Sequence, residues 1–128
     1  MKALLDTHTF LWAIAGEQKK LSRRAEQIYT GSNDLWLSVA SLWEILIKVQ
    51  TGKLPLPVPA GPYVVRNLAA NHIEVLPITL DHVLKLESLP HYHRDPFDRI
   101  LIAQSIEEKL PLITSDPLFE KYPVKLLW

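Results

Sequence analysis

Five carboxylates in this chain stand where an acid can do chemistry. Asp6 follows the short apolar run Ala3–Leu5, and Asp116 follows Leu112–Thr114. Glu44 lies inside an apolar helical pattern, between Trp43 and Ile45. Asp95 and Asp98 open the strongest helical pattern, in His93-Arg94-Asp95-Pro96-Phe97-Asp98-Arg99, and at a spacing of three they share a helix face. Carboxylates gathered in one cleft repel, and some take up protons instead of staying charged. A divalent cation removes that conflict. Oxygen donors without any cysteine suit Mg²⁺ or Mn²⁺ better than zinc. Carboxylate-held Mg²⁺ is suited to phosphodiester hydrolysis, because it acidifies an attacking water and steadies charge on phosphate oxygens.

Each acid also has a plainer use. Asp95-Pro96 and Asp116-Pro117 are good helix starts, with Asp as N-cap and Pro as first helical residue. Asp6 can cap a helix beginning at Thr7, Asp98 is favoured by the dipole of its helix, and Ser41-x-x-Glu44 matches a capping box.

The acids need elements that bring them together. Ala3–Leu5, Leu35–Leu37, Leu112–Thr114 and Val124–Leu127 read as strands, and Ile73–Ile78, which carries Pro77, suits an edge strand. Helical patterns lie between them: Phe10–Ala15, Leu21–Tyr29, a run from Ser41 closed by Gly52, Tyr63–Ala70, a helix capped by Thr79, Pro96–Leu110, and the short Pro117–Lys121. Lys53–Pro62 holds four of the ten prolines and reads as a surface connection, since the pieces it joins are small for separate cores. Alternating strands and helices predict an α/β fold: a three-layer α/β/α sandwich with a mostly parallel central sheet, one domain over residues 1–128. Ligands of such sheets bind beyond the carboxyl ends of the strands, where Asp6 and Asp116 fall.

Composition narrows the classes. The 128 residues are 48% apolar and 22% charged, a globular balance. The absence of cysteine excludes a disulfide scaffold and a thiolate metal site. No uncharged stretch approaches the roughly 20 apolar residues of a spanning helix. Asp6 stands where a signal peptide needs its apolar core, so a cytoplasmic protein without membrane attachment is expected. Fourteen bases balance 14 acids, which at first argues against a nucleic-acid partner. Setting the five site acids aside leaves nine acids against 14 bases, so a basic surface around an acidic pocket satisfies the same sum. Lys48, Lys53, Arg94 and Arg99 lie near the acids in sequence, where the phosphates of a nucleic acid would be met.

Four segments together resemble the PIN-domain ribonucleases, the VapC-type toxins of type II toxin–antitoxin systems. They are Leu4-Leu5-Asp6-Thr7-His8-Thr9-Phe10-Leu11-Trp12, Ser38-Val39-Ala40-Ser41-Leu42-Trp43-Glu44-Ile45, the His93–Arg99 phrase with Ile102-Ala103-Gln104, and Leu112-Ile113-Thr114-Ser115-Asp116. Order and spacing agree along essentially the whole chain. The resemblance implies that Asp6, Glu44, Asp98 and Asp116 are the catalytic, metal-binding acids and that the cofactor is Mg²⁺ or Mn²⁺. The implied activity is a metal-dependent endoribonuclease that hydrolyses RNA with an activated water. Thr7 and Thr114 match small hydroxyl positions that hold carboxylates and water. Asp95 is specific to this branch, as an extra acid or an N-cap, and Arg99 is expected to pair with a neighbouring acid in preference to a substrate phosphate. A VapB-type antitoxin covering the acidic groove, an RNA substrate and a homodimer are the implied partners, with the early apolar helices as candidate antitoxin face.

Two other classes share the architecture. An aspartate-dependent phosphatase usually has a second Asp two residues after the first, where this chain has His8. A receiver-like signalling domain usually pairs acids after its first strand and has a Lys after a late one, where this chain has Asp6 alone and Thr114-Ser115-Asp116. A non-catalytic protein whose acids are all caps is the third alternative. His91 and His93 read as two surface loop histidines, and Trp12, Trp36, Trp43 and Trp128 as core or interface residues rather than base-stacking platforms.

Overall fold

A computed structural model describes residues 1–128. Its centre is a sheet of five strands: β1 (Lys2–Leu5), β2 (Asp34–Ser38), β3 (Glu74–Leu76), β4 (Leu112–Ile113) and β5 (Leu126–Leu127). The order across the sheet is β3-β2-β1-β4-β5, and all four pairings are parallel. Parallel neighbours cannot be joined by hairpins, so helices cross from strand to strand and cover both faces.

The helices are α1 (Thr7–Ile14), α2 (Arg23–Thr30), α3 (Val39–Gln50), α4 (Ala60–Ala70), α5 (Leu80–Lys85) and α6 (Pro96–Glu108). Alternation along β1 divides the core. Ala3 and Leu5 face one apolar cluster with Phe10 of α1, Ile28 of α2 and Val64 of α4, while Leu4 faces another with Leu101 and Ile102 of α6. The three-layer α/β/α arrangement expected from the sequence is therefore present. No helix is long and apolar enough to cross a membrane.

Most elements fall where the periodicity places them, and the exceptions have local reasons. The proline in 73–78 does put β3 at the sheet edge, where a missing donor is tolerated. The helix expected from Ser41 begins two residues earlier, at Val39, because β2 runs into α3 without a loop and Ser38 caps it, accepting from Ala40 N at 3.0 Å. Ser41-x-x-Glu44 is thus not a capping box; both residues lie inside the helix and are buried. Gly52 adopts φ +74° just past the end of α3, the left-handed position that favours glycine. Helix α4 starts at Ala60 rather than Tyr63, whereas the short helix expected over Pro117–Lys121 is present with those bounds, as a 3₁₀ turn.

The chain leaves β1 towards β2 and β3, and later strands lie on the other side of β1. The sheet reverses direction between β1 and β4, and this opens a crevice at their carboxyl ends. Ile113 in β4 is fully buried beside that crevice. Ile113→Ala is expected to lower unfolding free energy by about 3 kcal/mol, read as a lower urea midpoint with unchanged slope. A loss under about 1 kcal/mol would show that this strand carries little of the core.

Candidate active site

The crevice collects the acids because each sits at the end of an element. Asp6 leaves β1 and caps α1, its Oδ1 accepting from Thr9 N at 2.7 Å. Asp116 follows β4 and caps the 117–121 turn, its Oδ1 accepting from Leu118 N at 2.9 Å. Asp95 caps α6 through Phe97 N at 2.8 Å. Capping takes one carboxylate oxygen and fixes the rotamer, which leaves the other oxygen of Asp6 and Asp95 for the cleft, while that of Asp116 also meets His93 Nε2. Cap and site are therefore compatible uses of the same acid.

Glu44 arrives from α3 and is 5% exposed. Thr7 Oγ1 donates to its Oε1 at 2.8 Å and lies 2.9 Å from Ser41 Oγ. Lys48, one helical turn on, holds Oε2 at 2.8 Å. Asp98 stands in the first turn of α6. One cleft is lined by Asp6, Glu44, Asp95, Asp98 and Asp116, with His8, Trp12 and Lys48 on its border. The structure so brings all four predicted acids, and Asp95, to one place.

Asp98 shows the electrostatic consequence. The bonds that fix the other acids do not reach it. Burial pushes its carboxyl up to about 7, with Asp95, Glu44 and Asp116 adding repulsion and only His93 working against it. This crowd of oxygen donors fits a hard divalent cation. No three of the acids converge into a ready-made cage. Mg²⁺ does not require one, since it keeps several waters and binds through one or two carboxylates.

Two residues behave differently from the sequence reading. Arg99 pairs with no acid: its guanidinium donates to the carbonyls of Pro90 (2.8 Å), Leu86 (3.3 Å) and Leu89 (3.4 Å), closing the turn before α6. It does not line the acidic cleft. His93 is no surface histidine but is buried, its ring against Phe119 and Tyr122. Tyr122 Oη accepts the backbone N–H of His93 at 2.9 Å and lies 3.2 Å from its Nδ1. The ionised carboxylate of Asp116 can only accept, so Nε2 carries a hydrogen and donates to Asp116 Oδ2 at 3.2 Å. Thr114 Oγ1 accepts the backbone N–H of Asp116 at 3.1 Å. His91 is exposed, and Trp43 is 59% exposed with its ring edge-on to Phe97. The one local hint of His93's role was its place two residues before Asp95; the partner that buries it is 29 residues away.

Known proteins share the sequence pattern and the fold. The sequence profile of the PIN domain matches residues 3–125. The chain is 28% identical over 114 residues to Ribonuclease VapC22 of Mycobacterium tuberculosis, covering 88% of this chain and 85% of that protein. Among solved structures it is similar to VapBC2 from Rickettsia felis, bound to a DNA fragment from their promoter (TM-score 0.71, 15% identity, 98% of this chain and 97% of that one). It is also similar to a toxin–antitoxin complex from Klebsiella pneumoniae (TM-score 0.64, 18% identity, 94% and 92%).

Asp98 generates a test in metal-free buffer. The native protein keeps this proton up to about pH 7, whereas the unfolded chain releases it near 3.8. The native state binds more protons across that window, so stability falls as pH rises through it. Asp98→Asn, which cannot ionise, is expected to melt about 5 °C above the wild type at pH 8, the gap narrowing towards pH 4. Equal melting temperatures at pH 8 would contradict the burial and crowding of this carboxyl.

Proposed function

The chain belongs to the PIN-domain family, and from that premise we propose that it is a metal-dependent endoribonuclease serving as the toxin of a toxin–antitoxin pair. The observation that carries this reading is the convergence of Asp6, Glu44, Asp98 and Asp116 on the crevice between β1 and β4. Family membership sets aside the phosphatase and receiver alternatives. Residues 1–128 act in this reading as one domain.

Asp6, Glu44, Asp98 and Asp116 would hold Mg²⁺ or Mn²⁺. Such an ion supplies an acidified water and positive charge against the phosphate oxygens. Everything else falls to the chain. The N-caps fix Asp6 and Asp116 without using both oxygens. Thr7 holds Glu44 at the floor of the cleft, and His93 Nε2–H holds Asp116 Oδ2 from behind. Asp95 keeps its cap role while adding negative charge near Asp98. Hydrolysis joins the water oxygen to phosphorus and breaks the P–O3′ bond, the 3′ oxygen taking a proton. The products are a 3′-hydroxyl and a 5′-phosphate.

An antitoxin and a second copy of the chain are the proposed protein partners; the toxin–antitoxin complexes among structural relatives support the first of these. The early helices bury much of their apolar surface, Phe10 and Ala13 of α1 and Ala25 and Ile28 of α2 being in the core. Large apolar side chains instead lie exposed on α3, as Trp43 and Ile47, and on α5, as Leu80, Val83 and Leu84. A carboxylate-lined cleft also suits a basic side chain from an inhibitor.

Asp6→Asn removes one ligand charge while keeping an oxygen for the cap. Cleavage of total RNA in Mn²⁺ is expected to fall at least about 100-fold, with an unchanged circular dichroism spectrum. Cleavage by the wild type is expected to stop in EDTA. Undiminished cutting by the variant, or full activity in EDTA, would overturn the assignment.

A further inference from the structure

Beside the acidic cleft runs a second groove with the opposite charge. It lies between α1 and the segment 53–56, and shares His8, Trp12 and Lys48 with the cleft. Lys20, Lys48 and Lys53 line it, against the single acid Glu17, which Lys20 already neutralises at 3.1 Å. His8 and Trp12 stand one turn apart on α1, their rings tilted to each other at 5.9 Å between centroids. Trp12 is partly exposed, and its indole is backed by Trp128 at 6.2 Å. A flat ring on a braced support beside lysines is what binds single-stranded nucleic acid, bases stacking on the ring and phosphates meeting the ammonium groups.

We infer that this groove is the binding subsite for the RNA strand flanking the scissile phosphate, with a base against Trp12 and a backbone phosphate on Lys53. The inference rests on the nuclease reading and adds where the strand runs. Charge decides the occupant: Lys20 pairs with Glu17 and Lys48 with Glu44, which leaves Lys53 as the ammonium group with no acid partner for a phosphate, and the groove shares its wall with the cleft where a phosphodiester would be cut. Lys48 marks the junction. It faces the groove while its ammonium group holds Glu44, so it lies between the strand's path and the acids. Residue type alone marks Trp12 as a core or interface residue; its neighbours in space give it this further role.

The probe is a fluorescein-labelled single-stranded RNA of mixed sequence, titrated into the protein with Ca²⁺ in place of Mg²⁺. Lys53→Gln is expected to weaken binding several-fold and to lessen the slope of log K against log salt by about 0.7, the value for one phosphate contact on a single strand. Trp12→Ala is expected to weaken it about tenfold. Lys125→Gln, exposed at the opposite end of the sheet just before β5, is expected to change neither. Because Trp12→Ala removes packing against Trp128, wild-type protein is also photo-crosslinked to RNA carrying 5-bromouracil, with the crosslink expected on the peptide containing His8 and Trp12. Binding that ignores both substitutions, or crosslinks only elsewhere, overturns the groove. So does a Lys53→Gln variant that loses a protein inhibitor but not RNA. If the wild type cuts RNA in Mg²⁺ while any of these holds, the groove alone fails; if it cuts no RNA with Mg²⁺ or Mn²⁺, the nuclease reading fails.

Discussion

Mutual repulsion among carboxylates at the ends of β1 and β4 is the constraint around which this fold is arranged. A sheet that reverses between these strands leaves their carboxyl ends open to a common crevice, and the chain fills it with acids. A fold selected for stability alone would place apolar or paired groups there. Asp98 is pushed up to about 7, first by its burial and then by the neighbouring acids Asp95, Glu44 and Asp116.

The surrounding structure manages that repulsion acid by acid. Backbone N–H groups at helix starts stabilise Asp6, Asp95 and Asp116. Lys48 and Thr7 between them take both oxygens of Glu44. Tyr122 holds His93, which in turn steadies Asp116. Asp98 alone is left without such support, and it is the acid whose charge the cleft most disfavours. The lysines lie just outside, so a chain with zero net charge still presents a basic approach to an acidic centre.

Local signals were legible in the sequence because local physics decides them. Asp-Pro starts helices wherever it occurs, and Pro77 marked the edge strand. The choice between cap and site acid was a false alternative, since a carboxylate has two oxygens. The start of α3 was misplaced because Ser38 and Ser41 are both good caps, and only the direct run from β2 selects the first. That earlier start sets Glu44 deeper in the helix, where Thr7 and Lys48 reach it. His93 and Arg99 were not legible. Their roles depend on Tyr122 and on three carbonyls brought close by the fold, and no spacing within the motif encodes those partners.

The central claim is that the crowded acids form one cation site. Calorimetric titration of Mn²⁺ into the metal-free protein at pH 7.5 tests it most directly, run beside the double variant Asp6→Asn, Asp98→Asn. Saturable binding to the wild type that disappears in a folded double variant is the predicted result. No heat from the wild type, or the same isotherm from both proteins, would contradict it.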